Sequence, residues 1–143
     1  MIRQATAVWS GGLKDGKGNL TSGSKALSNV PYDFKMRFED APGTNPEELI
    51  AAAHAGCYSM ALSGELGKAN ITAQQIETTS KVTMEPVDGK PTVKKSALTL
   101  RVKAPGADRN AIQAAADAAK AGCPISRLLA PGLEITLETT IEV

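Results

Sequence analysis

Asn45-Pro46-Glu47-Glu48-Leu49-Ile50-Ala51-Ala52-Ala53-His54-Ala55-Gly56-Cys57-Tyr58-Ser59-Met60-Ala61-Leu62 predicts one long helix, around which the rest of the chain has to be arranged. Asn45 can cap its start, Pro46 suits the first helical position, and Glu47 and Glu48 favour the positive end of the helix dipole. The helix is expected to run to about Leu66, with Gly67 as its stop. Between Leu49 and Ser63 there is no formal charge beyond a possible proton on His54. A helix so apolar on every face is expected to be buried on all sides.

Downstream, Ile76 to Met84 and Thr92 to Lys103 read as two strands joined by a turn at Asp88-Gly89. Thr78, Ser80, Val82 and Met84 alternate with polar neighbours, and so do Leu98, Leu100 and Val102. Pro105-Gly106 breaks the chain. Asp108 can then cap a second helix with Ile112, Ala115, Ala116 and Ala119 on one stripe. Gly122 closes it, Cys123-Pro124-Ile125-Ser126 restarts a short helix, and Glu134 to Val143 alternates as a last strand. Upstream, Ala5 to Trp9 reads as a strand, Asp15-Gly16-Lys17-Gly18 as a hairpin turn, and Asn19 to Ser22 as the returning strand. Tyr32, Phe34, Met36 and Phe38 alternate with charged residues, which predicts another strand with Arg37 on its polar face. The expected class is α+β: a mainly antiparallel sheet packed on a long buried central helix, as a single domain over residues 1–143.

Bulk composition removes several functions. Sixteen Lys+Arg against fifteen Asp+Glu leave a net charge of +1, and aromatic residues make up only 3% of the 143 residues. Without basic runs or stacking platforms, nucleic acid is a poor partner. The apolar run from Leu49 to Leu62 is too short to span a bilayer, and Met1 to Trp9 has no long apolar run of a secretory signal. A cytoplasmic protein with no membrane partner is the expectation. Two cysteines and one histidine without short paired spacing do not make a metal site, and no cofactor is expected. Gly11 to Gly18 falls short of a phosphate-binding loop, because Gly18 stands where a Ser or Thr would hold magnesium.

In a reducing compartment two cysteines are either inert core thiols or chemistry. Cys57 lies in the middle of the apolar helix, where a small packed residue is one reading. The other is a nucleophile, which needs a nearby cation to keep the thiolate. Cys123, at a helix start, feels the positive dipole end, or is simply a buried cap. His54, three residues before Cys57, is either a general base or a core histidine bonded to backbone or solvent.

Together, Arg37-Phe38-Glu39, the stretch from Gly43 through Leu62, and Ala119-Lys120-Ala121-Gly122-Cys123-Pro124-Ile125-Ser126 resemble the OsmC/Ohr family, in particular its osmotically inducible OsmC branch. The arginine just before the Asn-Pro-Glu-Glu helix favours that branch. The resemblance covers the whole chain and implies a stress-protective organic hydroperoxide reductase. Cys57 would be the peroxidatic cysteine and pass through a sulfenic acid. Cys123 would resolve it as a Cys57–Cys123 disulfide, and a thiol or dithiol reductant would reset the pair. Arg37 would lie beside the Cys57 sulfur, held by Glu47. The family also implies an intertwined homodimer. Helix geometry adds one point: ten residues separate Glu47 from Cys57, ~15 Å of rise and about 80° around the axis. A composite site is therefore expected, with Cys57 and Cys123 from one subunit and Arg37 and Glu47 from the other. An apolar lining from Met60, Leu62 and Met36 or Phe38 is expected to favour alkyl hydroperoxides. The competing readings are a general thiol–disulfide oxidoreductase and a non-enzymatic small-ligand binding protein.

Overall fold

The computed structural model describes residues 1–143, which divide into two compact units, Met1–Leu49 and Ile50–Val143. In the first unit, β1 (Ala5–Ser10), β2 (Lys17–Ser22) and β3 (Val30–Tyr32) form an antiparallel sheet in that order. Lys17 and Gly18 belong to β2 and pair with Ser10 and Trp9, so the hairpin loop is Gly11–Gly16 and lies earlier than expected. Gly18 sits between Trp9 and Tyr32, whose ring centroids are 5.4 Å apart. A Cβ at position 18 would meet the Tyr32 ring at 2.5 Å and the Trp9 ring at 2.7 Å. Only glycine lets the two rings close over the strand.

The expected strand from Tyr32 to Phe38 is overturned. β3 ends at Tyr32, and Phe34–Phe38 is a short helix, α1. Asp33 is extended and its carboxylate accepts the Met36 N–H at 3.0 Å, which caps the turn. Alternation over so short a run also places Phe34 and Phe38 four residues apart on one helical face, and their rings lie 4.9 Å apart. The cap chose between the two periods.

The long helix α2 (Pro46–Lys68) starts as expected, with Asn45 Oδ1 accepting the Glu48 N–H at 2.8 Å. It passes through Gly67 and ends at Lys68, and Asn70 in the turn beyond takes φ +57°. The Ile71 N–H reaches the Leu66 carbonyl at 2.9 Å and the Asn70 N–H reaches Gly67 at 3.0 Å. This paired closure satisfies the last carbonyls with asparagine in the left-handed place usually held by glycine.

In the second unit, β4 (Gln75–Val87) and β5 (Lys90–Lys103) form a long hairpin. Asp88 and Gly89 both have positive φ, +51° and +74°, as a two-residue turn of matching twist requires. Along β4 the even-numbered positions from Ile76 to Met84 face inward and the odd ones outward, as the alternation predicts. α3 (Arg109–Gly122) and α4 (Pro124–Leu129) then cross over, and β6 (Glu134–Glu142) pairs with β5 in parallel. The sheet is thus mixed, because a helical crossover returns the chain in its starting direction. Ser96, Leu98, Leu100 and Val102 of β5 are buried. They meet the buried stripe of α3, Ile112, Ala115, Ala116 and Ala119, and Tyr58, Leu62 and Leu66 of α2 in one apolar cluster.

Within one chain α2 is not buried on all sides. Its buried residues, His54, Tyr58, Leu62 and Leu66, recur every four positions on a single face. Ala52, Ala53, Gly56, Met60 and Gly64 are exposed, Met60 at 79%. The apolar surplus of the sequence lies on a second, uncovered face.

Candidate active site

Cys57 and Cys123 come together, with their sulfurs 2.9 Å apart and both thiols free. The approach is built from two helix ends and a packed core. Cys57 sits on α2, one position before the fully buried Tyr58, whose hydroxyl donates to the Ala116 carbonyl at 3.1 Å and ties α2 to α3. Cys123 is the residue between α3 and α4, with its N–H bonded to Ala119 O at 2.9 Å as the C-cap of one and its place as the N-cap of the other. It is fully buried, whereas Cys57 is half-buried. Burial pushes the Cys57 thiol up, and the neighbouring Cys123 adds to the rise; a backbone N–H at Ile125 acts the other way. A nucleophile at position 57 therefore needs a cation from elsewhere.

In the first unit Arg37 and Glu47 also come together. Arg37 Nη2 meets Glu47 Oε1 at 2.9 Å, and Arg37 Nε lies 3.3 Å from each carboxylate oxygen. This forked contact fixes the guanidinium plane. The Arg37 carbon between the nitrogens stands 5.2 Å from the Phe38 ring centroid. Arg37 is thus a residue of α1 and not of a strand's polar face. Around it, Trp9, Leu13, Tyr32, Phe34 and Phe38 line a recess of about 270 Å³. The expected lining changes accordingly. Phe38 takes part, Leu62 is fully buried in the core and cannot, Met60 is on the exposed face of α2, and Met36 covers Gly43. Trp9 lies far from Arg37 in sequence, and the pairing of β1 and β3 with β2 on either side of Gly18 brings it beside Tyr32 and into the recess.

His54 is a core residue, but its partners differ from those expected. Nδ1 is 2.6 Å from Ser96 Oγ, Nε2 is 2.8 Å from Ser126 Oγ, and Ser96 Oγ is 2.9 Å from Ser80 Oγ. Both nitrogens are engaged by serine hydroxyls, and burial alone pulls the imidazole pKa down. Ser96 could have been found from sequence: it occupies the inward register of Leu98, Leu100 and Val102, and a buried hydroxyl requires a partner.

The OsmC-like protein family model matches residues 38–138, which is most of the chain. Peroxiredoxin OsmC of Escherichia coli (strain K12) is 46% identical over 136 residues, covering 95% of this chain and 94% of that protein. This chain belongs to the OsmC family. A more distant relative, organic hydroperoxide resistance protein OhrB of Bacillus subtilis (strain 168), is 31% identical over 125 residues, covering 85% of this chain and 88% of that one. The crystal structure of Bacillus subtilis OhrB superposes with a TM-score of 0.76 at 26% identity, covering 96% of this chain and 98% of that one. As an OsmC family member the chain has the expected α+β fold, and the sequence resemblance to the OsmC branch is met by the higher identity to OsmC than to OhrB.

Proposed function

We propose that this OsmC family protein is a thiol-dependent peroxidase that reduces organic hydroperoxides to alcohols. The observation that carries the reading is the 2.9 Å approach of two free thiols, one half-buried and one fully buried. Names of relatives, a peroxiredoxin and an organic hydroperoxide resistance protein, agree with it.

In the proposed cycle the Cys57 thiolate attacks one peroxide oxygen in line with the O–O bond. That bond breaks, Cys57 becomes a sulfenic acid, and the alkoxide leaves and takes a proton to become the alcohol. Cys123 then condenses with the sulfenic acid, forming the disulfide and releasing water. A thiol or dithiol reductant returns both sulfurs to thiols by exchange. Arg37 stabilises the thiolate and the departing oxygen, since a guanidinium does not lose its own proton at neutral pH. Glu47 holds it flat. The aromatic recess beside Arg37 takes the organic group of the peroxide.

Arg37 and Glu47 act on the cysteines of a second copy in this reading. Burial raises the Cys57 pKa, so its thiolate needs a cation, and Glu47 stands ten residues, ~15 Å of helix rise, from Cys57 on the same helix. The uncovered apolar face of α2 gives a second copy something to cover. A homodimer with two composite sites follows. A general thiol–disulfide oxidoreductase acting on proteins is less well supported, because the Cys123 sulfur is fully buried and a folded substrate could not reach it.

The test is steady-state turnover with a dithiol reductant. Cumene hydroperoxide is expected to give a higher kcat/KM than hydrogen peroxide, and Cys57→Ser to abolish turnover of both. Equal efficiencies would remove the organic preference, and an active Cys57→Ser variant would remove the mechanism.

A further inference from the structure

His54 is fully buried, carries a titratable ring, and has no part in the proposed cycle. Its location gives it one. It lies three residues, almost one helical turn, before Cys57 on α2. Its Nε2 meets the hydroxyl of Ser126, the third residue of α4, the helix that Cys123 opens. α4 has only six residues, and the Cys123 side chain makes no capping bond. So short a helix does not hold itself in place and depends on tertiary anchors. Ser126 is buried, and its hydroxyl bond crosses directly to the helix that bears Cys57. On the other side, Nδ1 is held by Ser96, and Ser96 by Ser80, so the ring is fixed from the sheet.

We infer that His54 is a positioning residue: through Ser126 it holds the first turn of α4 against α2, so that the Cys123 sulfur stays beside the Cys57 sulfur. The inference rests on the assignment of Cys57 as the oxidised and Cys123 as the resolving thiol. A neutral imidazole has one donor and one acceptor nitrogen, and hydroxyls can do either, so the chain Ser80–Ser96–His54–Ser126 is satisfied whichever tautomer is present. It carries no charge to the cysteines and does not touch the peroxide.

Two reactions compete for the Cys57 sulfenic acid. Condensation with the Cys123 thiol forms the S–S bond and expels the sulfenic oxygen as water. A second hydroperoxide instead transfers an oxygen to the sulfur, giving the sulfinic acid and an alcohol. The first is unimolecular and depends on where α4 sits, while the second grows with hydroperoxide concentration. Loosening α4 therefore shifts the products toward sulfinic acid without changing the first oxidation.

The two ring nitrogens can be separated by substitution. In His54→Gln the amide reaches about the position of Nε2, so the Ser126 link can persist. In His54→Asn it reaches about the position of Nδ1, so the Ser96 link persists and the Ser126 link is lost. The readout is the sulfinic-to-disulfide ratio by mass spectrometry, at several hydroperoxide excesses. His54→Asn and Ser126→Ala are each expected to raise that ratio about fivefold, the effect of losing one buried hydrogen bond. His54→Gln should remain near wild type. The first oxidation, followed in single turnover, should keep its rate in all three. Leu98→Ala, which weakens the core without touching the Ser126 bond, should leave the ratio unchanged and so separates positioning from general destabilisation. Equal ratios in His54→Asn and His54→Gln, or a wild-type ratio in Ser126→Ala, would overturn the inference while leaving the cysteine roles intact. A wild-type protein that forms no disulfide would overturn both.

Discussion

At position 57 the core packing that shapes the site also opposes its chemistry. Burial and the adjacent thiol hold the Cys57 pKa up, yet the reaction requires the thiolate. In the proposed cycle the Arg37 guanidinium resolves the conflict, because it stays charged in surroundings where a lysine would surrender its proton. Arg37→Met is therefore expected to lower kcat/KM by about a hundredfold or more, the usual effect of removing one preorganised charge from a transition state. Its rate should also rise toward higher pH, as hydroxide takes over the task of ionising Cys57. An Arg37→Met variant with wild-type kcat/KM at neutral pH would contradict the role. At this scale the two pairings, Cys57 with Cys123 and Arg37 with Glu47, were legible in the sequence, as two motifs each with its cysteine and an arginine ahead of a capped helix. The inward register of Ser96 marks it as a buried hydroxyl in need of a partner, but its pairing with His54 was not legible, since Ser96 and Ser126 are 42 and 72 residues away and only the fold brings them to the ring.

Elements with a strong periodic pattern and a clear cap were read correctly from sequence. α3 buries the predicted stripe under an Asp108 cap, and the β4–β5 hairpin turns at Asp88-Gly89. Phe34–Phe38 was misread because five residues cannot separate a period of two from a helical turn, and the deciding Asp33–Met36 bond is a detail of side-chain geometry. α2 makes a prediction of its own. Burial lowers the His54 pKa below its ordinary value of 6.5. The unfolded chain then binds a proton more readily than the folded one. Stability from this group is complete above about pH 6.5 and is lost as pH falls from there toward the lower folded value. Denaturant unfolding at about pH 7.5 and about pH 5.5 should show that loss in wild type, and His54→Gln should lack it. An identical pH dependence in the two proteins would show that His54 is not the group responsible.

For the whole molecule, a helix that reads as apolar all round is satisfied by its own chain on only one face. Met60 at 79% exposure, with Gly56 and Gly64 beside it on α2, leaves an apolar strip that small residues would let another helix approach closely. The sequence expresses this surplus as the charge-free run from Leu49 to Ser63, and the proposed dimer covers it with a second copy. Mixing two inactive proteins tests the proposed answer. Cys57→Ser supplies an intact Arg37 and Arg37→Met an intact Cys57. If the site is shared between copies, unfolding and refolding the two in equal amounts puts one complete site in each mixed dimer. Random pairing then restores about one quarter of wild-type activity. Recovery of none would place all four residues in one chain.

Joining of the two sulfurs within one chain is the step on which the rest depends. Intact-mass analysis after one equivalent of cumene hydroperoxide reads it directly. The monomer should lose two hydrogens, with Cys57 and Cys123 linked in the digest, and Cys123→Ser should instead retain one added oxygen on Cys57. An unchanged mass, or an oxygen on Cys57 of the wild-type protein while Cys123 remains a free thiol, would contradict the account.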